Sequence, residues 1–209
     1  MRLRRKPHTD EKLQNFADFV TRGEVQPIEK DPSRELHVEI GTGKGDFIAQ
    51  IAEKNPQINL VGLEVEETCV LAAARKVREK NLSNVRLIVF DAENIAEIFP
   101  ARAVERLYIN FCDPWPKKRH AKRRLTHARF LEQYKKILKR GGEIFFKTDN
   151  RPLFDFSLEQ FASAGLKIFD VTNDLHADEP PENIRTEYEN KFSAADVPIN
   201  FCVVKFPDE

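Results

Sequence analysis

Apolar residues along this chain follow two alternating rhythms. Short dense runs of Val, Ile, Leu and Phe are separated by longer stretches in which apolar positions recur every three or four residues. The first rhythm marks buried strands and the second amphipathic helices. Residues 36–40, 58–63, 85–90, 104–111 and 143–147 read as strands. Residues 46–54, 66–80, 94–99, 127–139 and 152–164 read as helices. In the fourth of these, Phe130, Leu131, Tyr134, Ile137 and Leu138 share one face, and Arg140-Gly141-Gly142 reads as its C-terminal cap. Residues 166–171 and 201–206 read as two last strands. Strands alternating with helices predict an α/β fold, a largely parallel seven-stranded sheet with helices on both faces. Residues 1–34 read as an N-terminal arm, basic at Arg2, Arg4, Arg5 and Lys6, docked by a short helix bearing Leu13, Phe16, Phe19 and Val20. Residues 35–209 form the main domain.

Composition narrows the class. The 209 residues are 41% hydrophobic and 33% charged, with a formal net charge of +0. That suits one soluble globular domain and makes any basic patch a local feature. No long uncharged apolar run suggests a membrane span, and the opening MRLRRKPH has no apolar stretch after it to make a secretory signal. Cys69, Cys112 and Cys202 are odd in number and lack CxxC spacing. They read as reduced thiols of a cytoplasmic protein. His8, His37, His120, His127 and His176 show no metal-ligand spacing, so no metal is expected. The chain is compatible with a monomer or a homodimer.

In parallel sheets, ligands bind beyond the carboxyl ends of the strands. The first main strand carries Glu39 and leads into Gly41-Thr42-Gly43-Lys44-Gly45; the next four lead to Glu64, Asp91, Asp113 and Asp149. A dinucleotide fingerprint would need a small residue where Asp46 stands. The pattern Glu39-x-Gly41-x-Gly43-x-Gly45 instead resembles the S-adenosylmethionine loop of Rossmann-like methyltransferases. Carboxylates suit that ligand, which carries a sulfonium and an ammonium, and would repel a pyrophosphate. Glu64 matches the acidic ribose anchor. Asp91, beside Ala92, either meets the adenine amino group or caps the following helix.

Residues 110–124 read NFCDPWPKKRHAKRR. Pro114 and Pro116 stiffen the exit from a strand. Lys117, Lys118, Arg119, Lys122, Arg123 and Arg124 then crowd together. A carboxylate beside a polycation suggests chemistry on a polyanion; the alternative is a solvated charged loop. Asp113-Pro114-Trp115 is similar to the Asn/Asp-Pro-Pro-aromatic motif of amino-group methyltransferases, with Trp115 in place of the second proline. Taken with DPWPKKRH and Thr186-Glu187-Tyr188-Glu189, the chain from about Leu36 onward resembles the bacterial tRNA (guanine-N(7)-)-methyltransferase family. The resemblance implies S-adenosylmethionine as donor and a guanine in the tRNA variable loop as acceptor. It implies cofactor contacts at Glu39, Gly41, Gly43, Gly45, Glu64, Asp91, Ala92 and Asp113, with a catalytic role for Asp113. It places substrate contacts at Lys117, Asp149, Thr186, Glu187, Tyr188 and Glu189. The RNA-interacting stretch covers Arg119, His120, Lys122, Arg123 and Arg124.

Guanine N7 has an available lone pair, so no proton must leave before attack. The sequence accordingly shows no Ser-His-Asp or Cys-His constellation. Several alternatives remain open at this level. The acceptor could be another RNA base or a protein amide, or the chain could be a non-catalytic RNA-binding module. Thr186-x-x-Glu189 also fits a helix capping box. Trp115 could stack on a base or simply pack at a strand end.

Overall fold

The computed structural model describes residues 8–207. The four basic positions expected at the start of the arm lie outside them. In chain order the elements begin with α1 (Thr9–Gln14), β1 (Val20–Thr21), β2 (Leu36–Ile40), α2 (Asp46–Lys54), β3 (Asn59–Glu64), α3 (Glu67–Glu79) and β4 (Val85–Val89). They continue with α4 (Ile95–Ile98), β5 (Val104–Asn110), α5 (Ala128–Ile137), β6 (Leu138–Thr148) and α6 (Arg151–Ser163). The last three are β7 (Lys167–Thr172), α7 (Glu187–Ser193) and β8 (Asn200–Lys205). One sheet holds all eight strands, in the order β1-β4-β3-β2-β5-β6-β8-β7. Every pairing is parallel except those made by β8, which runs antiparallel to both β6 and β7.

Alternation along the central strands sends side chains to two large cores, and a smaller third cluster gathers Leu175, Ile199, Phe201 and Val203. Val38, Leu107 and Ile144 face a cluster with Phe130, Tyr134 and Phe154 of α5 and α6. Leu60, Leu87 and Tyr108 face a second cluster with Phe47, Ile48, Val70 and Val77 of α2 and α3. Helices therefore cover both faces, as an all-parallel centre requires to keep both sides of its strands from water. Strand order reverses between β2 and β5, so a crevice opens at their carboxyl ends.

The sequence-based expectations need three corrections. The sheet has eight strands rather than seven, because Val20 and Thr21 pair in parallel with Leu87 and Ile88 of β4. Val20 therefore sits in a strand, and the helix ends earlier, at Gln14; Phe16 and Phe19 follow it and pack under the Arg78 guanidinium. Arg140-Gly141-Gly142 is not a helix cap. α5 stops at Ile137 and the chain enters β6 directly. The pairing jumps from Val104↔Leu138 to Arg106↔Glu143, and Gly141, at φ 70°, absorbs that bulge because a glycine adopts the left-handed region without strain. Among the described residues, no helix is long and apolar enough to cross a membrane.

Candidate active site

β2 is buried along its whole length and delivers Glu39 into the crevice. Glu39 Oε1 accepts from Asn110 Nδ2 at 3.1 Å, across the β2–β5 boundary. Glu39 Oε2 and Asn110 Oδ1 are both buried without a partner. Burial pushes the Glu39 carboxyl up to about 8; the Asn110 bond and Lys147 pull the other way, and Glu64 adds to the rise. Buried acceptors left unpaired are costly. A ligand ammonium placed here satisfies both, so the residues present fit the aminoacyl end of S-adenosylmethionine.

The loop after β2 supports the same ligand. Gly41 and Gly43 have φ of 78° and 56°; a Cβ at Gly41 would meet nothing, and one at Gly43 only the Gly41 carbonyl oxygen at 4.0 Å. Backbone can therefore approach a ligand closely. Gly45 has a different task. A Cβ there would come within 2.5 Å of Ala73 Cβ, so its bareness lets α2 pack on α3. Glu64, at the end of β3, shapes the loop from beside it. Its Oε2 accepts from Gly43 N at 2.9 Å, and its Oε1 from Val65 N and Glu66 N at 2.8 and 2.9 Å. A carboxylate offers roughly four acceptor positions, which leaves capacity for a ribose hydroxyl. Asp91 is exposed, and its side chain accepts from Glu93 N at 3.0 Å, capping the short 3₁₀ turn Ala92–Asn94.

Beyond β5 the backbone is strained. Phe111 and Trp115 take φ of 51° and 41°, a region that costs a non-glycine residue of order ~1–3 kcal/mol. Asp113, between them, is exposed, and Asp149, just past β6, is half-buried. Neither carboxylate has a hydrogen bond or ion pair among the described residues. Both charges act on the Cys112 thiol, which burial pushes up to about 12. The two free acids thus flank one point at the ends of neighbouring strands.

Lys117, Lys118, Arg119, Lys122 and Arg123 are exposed and have no acidic partner among the described residues. Arg119 meets His120 at 3.3 Å, and Arg123 lies 4.9 Å above the Trp115 ring, which stands edge-on to His120. Cations without counter-charges, on a 3₁₀ turn, make this surface locally positive. Arg124 does not belong to it. Its side chain turns back to the carbonyls of Pro114 and Trp115.

The Thr186–Glu189 stretch opens α7 and sits over the glycine loop. Lys44 Nζ pairs with Glu187 Oε1 at 2.9 Å, and Gln50 Nε2 donates to Arg185 O at 3.2 Å. Tyr188 is 57% exposed and stacks on Phe111. Thr186 and Glu189 form a full capping box. Glu189 also does more: it is wholly buried and pairs with Lys147 Nζ at 3.2 Å, His176 Nε2 at 3.0 Å and Asn183 Nδ2 at 2.8 Å. Its oxygens are committed within the protein and not presented to a ligand. Lys147 was not singled out from the sequence, although a lysine closing an apolar strand is itself a signal of a buried partner. His176, Glu179 and Glu189 bring ligand atoms within 4.8 Å of one another, but Lys147 and Arg185 already balance the two acids. A separate cavity of about 830 Å³ lies against the sheet, walled by Phe47, Tyr108, Phe145 and residues 170–184; neither the glycine loop nor Asp113 lines it.

The fold and the strand-end site together define the chain as a Rossmann-like, S-adenosylmethionine-dependent methyltransferase. Comparisons with known proteins agree. The family described as "Putative methyltransferase" matches residues 33–202. Tertiary likeness extends to the 16S rRNA methyltransferase KamB (TM-score 0.59, 16% identity, 81% of this chain and 86% of that one). It also extends to the [4+2]-cyclase SpnF (TM-score 0.60, 17% identity, 96% and 81%). These share the fold alone, and the cyclase shows that the fold does not decide the chemistry. Sequence decides more. The tRNA (guanine-N(7)-)-methyltransferase of Macrococcus caseolyticus is 42% identical, over 99% of this chain and 100% of its own length. That of Bacillus subtilis is 43% identical, over 95% and 96%. The chain belongs to the tRNA (guanine-N(7)-)-methyltransferase family.

Proposed function

We propose that this protein methylates N7 of a guanine in the variable loop of tRNA, in the cytoplasm, with S-adenosylmethionine as donor. The observation that carries this reading is the pair of unpartnered acids, Asp113 and Asp149, at the ends of adjacent strands beside the glycine loop. When bound, S-adenosylmethionine supplies an electrophilic methyl group whose bonding pair stays with sulfur. Glu39 and Asn110 hold its ammonium, and Glu64 its ribose. The N7 lone pair needs no base, which matches a site with free carboxylates and no histidine among them. As positive charge develops on the purine, Asp113 and Asp149 stabilise it electrostatically, or hold the base edge through its N1–H and amino group. Lys117, Lys118, Arg119, Lys122 and Arg123 grip phosphates and set position rather than base identity. Thr186, Glu187 and Tyr188 cover the site from α7, with Tyr188 as a stacking face.

Incubating the protein with unmodified tRNA and methyl-labelled S-adenosylmethionine, then digesting to nucleosides, tests the reading. Labelled 7-methylguanosine is expected, and chemical cleavage at the modified base should map it to the variable loop. Label in adenosine, or in protein, would refute the proposal.

A further inference from the structure

We propose that Arg124 is a positioning residue for methyl transfer: it fixes the Asp113 loop rather than gripping RNA. The proposal rests on the function given above. Nε of Arg124 donates to Pro114 O and Nη2 to Trp115 O, each at 3.1 Å. The guanidinium lies 4.3 Å above the Phe156 ring, on α6. Its neighbours Lys122 and Arg123 are exposed, whereas Arg124 is half-buried. One of the two edges by which a guanidinium can grip a phosphate in bidentate fashion, Nε with Nη2, is already spent on two carbonyls.

The loop needs such a clamp. Phe111 and Trp115 are held at positive φ, and strained backbone persists only where its surroundings over-determine it. Arg124 bonds the carbonyl of Trp115 itself. It also ties the loop after β5 to α6, the helix that follows Asp149 and β6. The separation of Asp113 from Asp149 is thereby set through Arg124 and Phe156. Lysine cannot replace it. An ammonium is a point charge with no planar fork to span two carbonyls and no flat face to lie on a ring.

Trp115 is the only tryptophan in the chain, so its fluorescence reports the loop without any RNA. In Arg124→Lys, acrylamide quenching of Trp115 should rise. The single-turnover rate at saturating tRNA and cofactor should fall roughly ten- to hundredfold, the scale of a misplaced catalytic group. Affinity for tRNA and its salt slope should stay within about twofold of wild type, because the charge survives and no phosphate contact is lost. Phe156→Leu, which removes the ring and touches no charge, should move the rate and the quenching the same way. Wild-type quenching and rate in Arg124→Lys would overturn the proposal. So would a lowered salt slope in Arg124→Ala. A wild-type protein inactive on tRNA would count against the proposed function, while the quenching result would still decide the clamp.

Discussion

Glu39 keeps its proton up to about pH 8 because the sheet buries it, whereas the ordinary value is 4.5. Between those limits the folded protein binds more protons than the unfolded chain. Stability therefore falls as pH rises through that window and levels off above it. Glu39→Gln should remove this decline. The same proton links to the cofactor. An ammonium against the carboxyl favours its ionised form, so binding S-adenosylmethionine at pH 7 should expel roughly one proton. Titration calorimetry in two buffers of different ionisation enthalpy reads that release directly. Wild type should show it and Glu39→Gln should not; equal heats for wild type in both buffers would contradict it. Single residues also show where chemistry misleads a reader of sequence. Arg124 ends a run of cations and looks like one more of them. Its partners are backbone carbonyls, which carry no letter in the sequence.

α7 depends on contacts far from its own turn. A simple capping pair contributes about 1 kcal/mol. Glu189 also holds the buried Lys147 amine of β6, and removing one partner of a buried pair typically costs roughly 3–5 kcal/mol. Glu189→Ala should therefore lose much more stability in denaturant unfolding than Thr186→Ala does. Equal small losses would reduce Glu189 to a cap. The central elements were legible because their signals are local. β2 to β6 are dense apolar runs, and α2, α3, α5 and α6 carry periodic faces. The strand-end acids and the glycine loop followed from those placements. β1 was hidden because two residues set no period, and they form a strand only by lying against β4. The bulge at Gly141 was hidden because glycines after a helix usually signal a cap. The Lys147–Glu189 pair spans 42 positions, beyond the reach of any local pattern.

The whole molecule balances its charge to +0, yet five cations of the 117–123 segment have no acidic partner among the described residues. Binding to tRNA should be strongly salt-dependent, and this surface should contribute to that dependence. Replacing Lys117, Lys118, Arg119, Lys122 and Arg123 together by Ala should flatten the log–log salt dependence by somewhat under ~1 per lost phosphate contact. Cofactor affinity should hardly change. A wild-type slope would show that the turn is merely hydrated. The order of the sheet sets a different constraint, on assembly. β8 follows β7 in the chain but lies between β6 and β7 in the sheet, and among the described residues β7 pairs with no other strand. A chain emerging from the ribosome can lay β2 to β6 side by side soon after each appears. β7 must wait, its backbone unpaired, until residues 200–205 have been made and slid into the gap. The seam that closes this sheet is therefore sewn from its far end inward.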